Sequence, residues 1–246
     1  MKRVSDLILK ELYKLIHKKS INDIIDFEFD NIYNKSAVSK IIKNYISKNC
    51  FYNIDIIEEH NIKLKFISVN EDYKSYEAMS FTNTSLYDII FEKWDTNDEF
   101  ELATLKNQLN YNFLFIPVIK IKRKGIFNHC LDWKIGDFSY WTPTKEELIE
   151  IGKEWMITKE LLKKGIKVTK VKFGKSFRNS NNLPKQSKTK YIHLRPHGIN
   201  SYDYDLKYLE YSNGETQITK QSFWLNKKFI NTLLKNNKWK MISKEE

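Results

Sequence analysis

Three basic side chains separated by single residues, His193, Arg195 and His197, stand in the C-terminal part of the sequence, followed by Lys220-Gln221-Ser222-Phe223-Trp224-Leu225-Asn226-Lys227-Lys228-Phe229. On an extended segment alternate residues share a face, so His193, Arg195 and His197 project together unless Pro196 bends the chain. Arg reads guanine bidentately in the major groove of duplex DNA. His and Lys reach phosphates or base edges, and Trp224 offers an aromatic face for stacking. Lys220 precedes the aromatic run, and Lys227 and Lys228 follow it at a helix start, placed for phosphate contact. The competing reading is structural: His193 hydrogen-bonds in the core and Trp224 anchors the final helix.

Metal-assisted phosphodiester hydrolysis needs carboxylates on neighbouring strands to hold Mg²⁺, with a lysine beside them. The alternating stretch Ile62–Val69 has Lys63 and Lys65 but no acid between them, and Asp55, Glu58 and Glu59 precede it in a segment that reads as a turn. Asp132-Trp133-Lys134 is an acid-x-Lys triplet on an expected strand, a pattern common by chance. His193 and His197 are four residues apart, but Pro196 opposes the helix that would turn both toward one ion. Cys50 and Cys130 make neither a disulfide framework nor a zinc set, and the simplest setting is a reducing cytoplasm. With only seven glycines the chain has no phosphate-cradling loop, and no nucleophilic triad stands out. No metal is assigned.

The elements that must position these residues follow from hydrophobic periodicity. Residues 4–19 read as a helix with Val4, Leu7, Ile8, Leu12, Leu15 and Ile16 on one face. A second helix, capped by Asn34 or Ser36, runs to about Tyr45 with Val38, Ile41 and Ile42 inward. Ile62 to Val69 is a half-buried strand, and 85–94 a short helix. The apolar run 112–122 suits a central strand, although Pro117 asks for an edge or a bulge. Gly125 turns the chain into a strand over 127–135. Pro143 opens a helix with Glu146 and Glu147 in its first turn and Lys163 and Lys164 in its last, ended by Gly165. Val168, Val171 and Phe173 begin a strand, 176–189 is a polar loop, 191–194 a strand, and 226–236 the last helix. No repeat or long linker interrupts this order. The expectation is one mixed α/β (α+β) domain over 1–246: N-terminal helices in 1–50, a basic segment and loop in 161–190, and the reading motifs with the last helix in 191–236.

Charge narrows the partners. The 246 residues carry 42 Lys+Arg against 31 Asp+Glu, a formal net charge of +11. Residues 161–200 contain Lys163, Lys164, Lys167, Lys170, Lys172, Lys175, Arg178, Lys185, Lys188, Lys190 and Arg195, and no acid. Without these eleven the basic residues equal the 31 acids, so the excess belongs to one segment and points to a polyanion or a membrane surface. Hydrophobic residues at 41% and aromatics at 14% exclude a wholly disordered chain. No apolar run approaches the roughly 18–20 residues of a membrane span, and the amphipathic N-terminus reads as no secretory signal.

The chain resembles the MutH and Sau-type restriction endonuclease family, which acts at GATC sites in duplex DNA. The resemblance rests on Tyr191-Ile192-His193-Leu194-Arg195-Pro196-His197 together with Lys220-Gln221-Ser222-Phe223-Trp224-Leu225-Asn226. Glu77-Ala78-Met79-Ser80-Phe81, Glu92-Lys93-Trp94, Phe113-Leu114-Phe115 and the opening helices support it over nearly the whole chain. It is strongest to the C-terminal half of the Sau-type enzyme, which looks like two MutH-like copies in one chain. There the N-terminal copy cuts, and the C-terminal copy binds a second GATC site and activates the first. The resemblance implies a PD-(D/E)XK restriction-endonuclease-like fold, a mixed central sheet flanked by helices.

Active members carry an Asp, six intervening residues and then Glu-x-Lys. The matching positions here are Ile56, Lys63 and Lys65, and a further family acid is replaced by Lys43. Cations where acids should stand repel Mg²⁺. The resemblance therefore implies a degenerate catalytic site, with Mg²⁺ a cofactor of the family's catalytic domain and none for this one. By the same match Arg195, His197 and Trp224 approach the GATC bases, His197 standing where some members have Lys. Lys185 and Lys188 in the basic loop supply attraction that weakens with salt. The implied partners are GATC-containing duplex DNA and a catalytic MutH-like domain, in cis or in trans. Two alternatives stay open: an active Mg²⁺-dependent endonuclease with a site rearranged around Asp55 or Asp132, and a protein-interaction domain with an incidental basic face.

Overall fold

The structure is a computed structural model, and it describes residues 2–25, 35–174 and 176–239. In chain order the helices and strands are α1 (Lys2–Ile16), α2 (Lys35–Asn49), α3 (Ile54–Glu59), β1 (Ile62–Val69), β2 (Met79–Thr84), α4 (Leu86–Phe91) and α5 (Thr104–Leu109). There follow β3 (Asn112–Ile119), β4 (Lys122–Arg123), β5 (Ile126–Phe127), β6 (Lys134–Ile135), β7 (Ser139–Trp141) and α6 (Lys145–Lys163). The chain ends with β8 (Val168–Phe173), β9 (Ser176–Asn181), β10 (Ile192–Pro196), α7 (Leu206–Tyr211), β11 (Gln221–Leu225) and α8 (Lys227–Asn236). These gather into two compact units. One holds residues 1–77, 111–142 and 230–246, the other 78–110 and 143–229.

The first unit is built on a mixed sheet. β1 lies parallel to β3 with Lys63 opposite Phe113 and Lys65 opposite Phe115, while β7 and β6 both run antiparallel to β3. β3 is buried on both faces, as its unbroken apolar run requires. Pro117 thus sits in a central strand, and the bulge alternative is the one realised. The partner register shifts by one residue between β7 and β6, and in that gap Gly136 N–H donates to Pro117 O at 2.8 Å. A proline lacks a ladder donor, so the interruption falls where none is needed. Ile8, Leu12 and Ile16 of α1 and Ile41, Ile42 and Ile46 of α2 close one core with Ile62, Leu114 and Ile116. Leu7 was expected inside but is 49% exposed, and Leu9 is buried in its stead. α2 extends to Asn49. Its expected caps, Asn34 and the Ser36 side chain, lie outside the described residues.

Two expectations fail in this unit. The strand over 127–135 is instead a β4–β5 hairpin, a 3-10 turn at Cys130–Asp132 and the short β6. Local polar bonds win over alternation: Asn128 Oδ1 accepts from Ile121 N at 3.0 Å and the His129 ring from Leu131 N at 3.4 Å. The supposed turn over Asp55, Glu58 and Glu59 is helix α3, because Asn53 caps it by accepting from Ile56 N at 3.0 Å.

The second unit sets an antiparallel sheet, β10-β11-β2, against α6. Thr144 and Glu147 form a reciprocal capping box that starts α6, leaving Pro143 just outside, and Gly165 ends it with φ +87°. Ile151, Trp155 and Leu162 make its buried stripe, while Ile192, Leu194, Phe223, Leu225 and Met79 form the buried face of the sheet. The polar stretch after 175 is not all loop. β9 pairs with β8 residue for residue from Phe173–Ser176 to Val168–Asn181, because Gly174 at φ +59° permits the tight reversal. Lys175 and the Arg178 side chain lie outside the described residues. The fold is thus a mixed α/β arrangement, mixed sheet and flanking helices, compatible with the restriction-endonuclease-like class.

Candidate nucleic-acid interface

Pairing of β10 with β11 brings the two motifs together. His193 lies opposite Trp224 and Arg195 opposite Ser222, so these side chains share one face of the sheet, the face away from Leu194 and Phe223. The Arg195 guanidinium sits over the Trp224 ring at 4.9 Å from its centroid. The His197 ring meets the same indole edge-on at 5.4 Å. Arg195 and His197 are exposed and Trp224 is half-buried. A planar cation preorganised on an aromatic plane loses less rotamer freedom when it binds a flat hydrogen-bonding edge.

A chain of polar bonds fixes His197. Ser222 Oγ donates to Asn83 Oδ1 of β2 at 2.7 Å, so it can only accept from the His197 Nδ1–H at 2.7 Å. In the neutral ring this leaves Nε2 as an acceptor, and a protonated ring presents a donor there. Sequence reasoning did not find Ser222 or Asn83 as supports, although Ser222 lies inside a motif it quoted; only the strand register shows that the two meet.

His193 is placed differently from Arg195 and His197. It is buried, and its Nδ1–H donates to Asn226 Oδ1 at 2.5 Å. Burial holds its pKa below the ordinary histidine value against the Asn226 bond, and the Arg195 charge adds to the lowering. His193 therefore shares a sheet face with Arg195 but is buried there, its ring bonded to Asn226, so of the three it is not exposed for contact. Asn226 in turn donates to Thr189 O at 2.8 Å and Thr189 Oγ1 at 3.0 Å, tying the approach to β10 to the end of β11. Glu154 of α6 completes the bracket. Its carboxylate accepts from the backbone N–H groups of Lys190, Tyr191 and Ile192 at 2.6, 3.1 and 2.9 Å.

The lysines divide. Lys220 is bound to Asp203 at 2.7 Å, and that bond holds the Asp203 carboxyl below the usual range. Its charge is thus matched by an acid rather than offered to a ligand. Lys185 and Lys188 are exposed on a tight turn closed by Lys188 N–H donating to Lys185 O at 2.7 Å. Lys227 is half-buried and Lys228 exposed at the start of α8.

The first unit holds the four positions that the resemblance alone matches to a nuclease's acids and lysine. Lys63 and Lys65 share a face of β1, Ile56 lies on α3 and Lys43 on α2. Lys63 binds Glu58 at 2.7 Å and lies over the Tyr111 ring at 4.7 Å. Burial first, then the charges of Lys43 and Lys63, depress the Lys65 pKa, with Glu58 opposing. Three ammonium groups thus converge at these positions, a set that does not fit Mg²⁺, whose ligands are oxygens. Asp132, one alternative acid, lies exposed in the 3-10 turn and not on a strand. Among the described residues no three His, Cys, Asp or Glu side chains gather as a metal site. No described helix is long and apolar enough to cross a membrane.

No family model matches the chain. The type II restriction enzyme Sau3AI of Staphylococcus aureus is 25% identical to it over 267 residues, covering 92% of this chain and 53% of the enzyme. The chain thus spans about half the length of that relative, and the similarity relates it distantly to a restriction enzyme.

Proposed function

We propose that the chain is a duplex-DNA-binding domain that recognises GATC and serves as the regulatory half of a type II restriction endonuclease without cutting DNA itself. The observation that carries this reading is the Arg195–Trp224–His197 cluster, exposed on one face of the β10–β11 pair and braced by Ser222 and Asn83. Arg195 is the base reader, His197 a second edge contact, and Trp224 the plane that orients both. Lys185, Lys188, Lys227 and Lys228 hold phosphates. The mutual proximity of Lys43, Lys63 and Lys65 argues against a metal-dependent cut. A relative twice as long supports a catalytic partner domain, in cis or in trans.

The experiment is incubation of the chain with a GATC-containing duplex and Mg²⁺, followed by separation of bound, free and cut DNA. The expected result is a shifted, intact duplex. Cutting at GATC that Asp55→Ala or Asp132→Ala removes would replace this reading with that of an active endonuclease using a rearranged site.

A further inference from the structure

The hydrogen bonding of β10 continues past its last strand residue. His197 N–H donates to Lys220 O at 2.8 Å, so the chain stays beside the approach to β11 for one residue beyond Pro196. It then turns through a loop over 198–203 that is held by its own polar groups. The Asp203 carboxylate accepts from Ile199 N–H at 3.0 Å and binds Lys220 at 2.7 Å, and Asn200 Oδ1 accepts from Tyr202 N–H at 2.8 Å. Gly198 is packed so closely that a Cβ there would lie 2.7 Å from Thr219 Cγ2. The loop is thus braced, yet Ile199 is 95% exposed, and among the described residues only Phe100 is a more exposed large apolar side chain. The cleft beside the other face of the β10–β11 pair is lined by Pro196, Gly198, Asn200 and Gln221, whereas Arg195, His197 and Ile199 do not line it. Ile199 therefore falls with Arg195 and His197, on the side away from that cleft.

We infer that Ile199 is a specificity contact, packing against the 5-methyl group of the GATC thymine in the major groove beside the bases that Arg195 and His197 reach. The inference rests on the GATC reading above and adds to it a contact at an inner base pair. An aliphatic side chain has no donor or acceptor with which to read a base edge. The apolar group that a base pair presents in the major groove is the thymine methyl, which cytosine lacks. Reach permits the contact: two residues span at most about 7 Å, and successive bases of one strand are about 3.4 Å apart along the axis. Ile199 thus reaches a base one or two steps from the one that His197 meets. The bracing by Asp203 and Asn200 means that little loop freedom is lost on contact, and covering a hydrated isoleucine is favourable.

The test measures binding of the full chain and of Ile199→Ala to a GATC duplex, to the same duplex with uracil in place of the GATC thymines, and to a scrambled duplex of equal length, at one salt concentration. Uracil differs from thymine only in lacking the 5-methyl group. The unaltered chain should bind the uracil duplex about fourfold more weakly than the thymine duplex, the effect of one buried methyl. Ile199→Ala should bind the thymine duplex about fivefold more weakly or worse, should no longer distinguish thymine from uracil, and should bind the scrambled duplex as the unaltered chain does. Equal affinity of the unaltered chain for thymine and uracil, a thymine preference that survives Ile199→Ala, or an equal loss on the GATC and scrambled duplexes would each overturn the inference. With GATC still preferred over the scrambled duplex, those results leave the reading above standing. An unaltered chain that shows no preference for GATC would remove that reading, and this inference with it.

Discussion

At the scale of single residues the interface depends on a division between two histidines that the sequence presents as equivalents. His197 is exposed and aimed by Ser222; His193 is buried and bonded to Asn226. Replacing Arg195 with Ala should reduce the preference for GATC over a scrambled duplex by about 1–3 kcal/mol, read from competitive binding curves. An equal loss on both duplexes would make Arg195 a phosphate contact. For His193 the folded pKa lies below the unfolded one, so the neutral ring contributes stability that is fully present above the unfolded value. That contribution is lost as pH falls toward the folded value. The chain should therefore lose unfolding free energy on acidification below about pH 6.5, and His193→Gln should flatten that part of the profile. A profile unchanged by the substitution would show that His193 does not carry it.

At the scale of elements, β10 is positioned by two contacts at its N-terminal end. Glu154 gathers three backbone N–H groups before the strand, and Asn226 ties Thr189 to the end of β11. Glu154→Ala should destabilise the fold by about 1–3 kcal/mol and accelerate amide exchange at Tyr191 and Ile192. Exchange unchanged at those two amides would remove Glu154 from the bracket. Hydrophobic pattern located α1, β1 and β3, because each presents an apolar stripe or run to a core, and the start and stop signals at Pro143, Glu146, Glu147 and Gly165 located α6. It failed where short polar contacts override alternation, as at Asn128 and His129, and where one glycine, Gly174, turns a polar stretch into a hairpin. The residues of the candidate site were legible as motifs. Their mutual geometry was not, since Ser222 with Asn83 and Glu154 with β10 are pairings made by tertiary register.

At the scale of the whole molecule, the net charge of +11 is the excess of one segment, and every lysine there with a described side chain is exposed. Such a distribution gives sequence-independent attraction to a polyanion, and specificity has to come from elsewhere. Neutralising Lys185 and Lys188 should reduce the slope of log affinity against log salt by about 0.9 for each phosphate contact removed, with the preference for GATC retained. The measurement that bears most directly on the central claim is a salt-titrated comparison of affinity for a GATC duplex and a scrambled duplex of equal length. The account predicts tighter binding of the GATC duplex by about 10³-fold or more near physiological salt, with the ratio persisting as both affinities fall. Equal affinities at every salt concentration would contradict it, reducing the Arg195–Trp224–His197 face to a basic surface that does not read sequence.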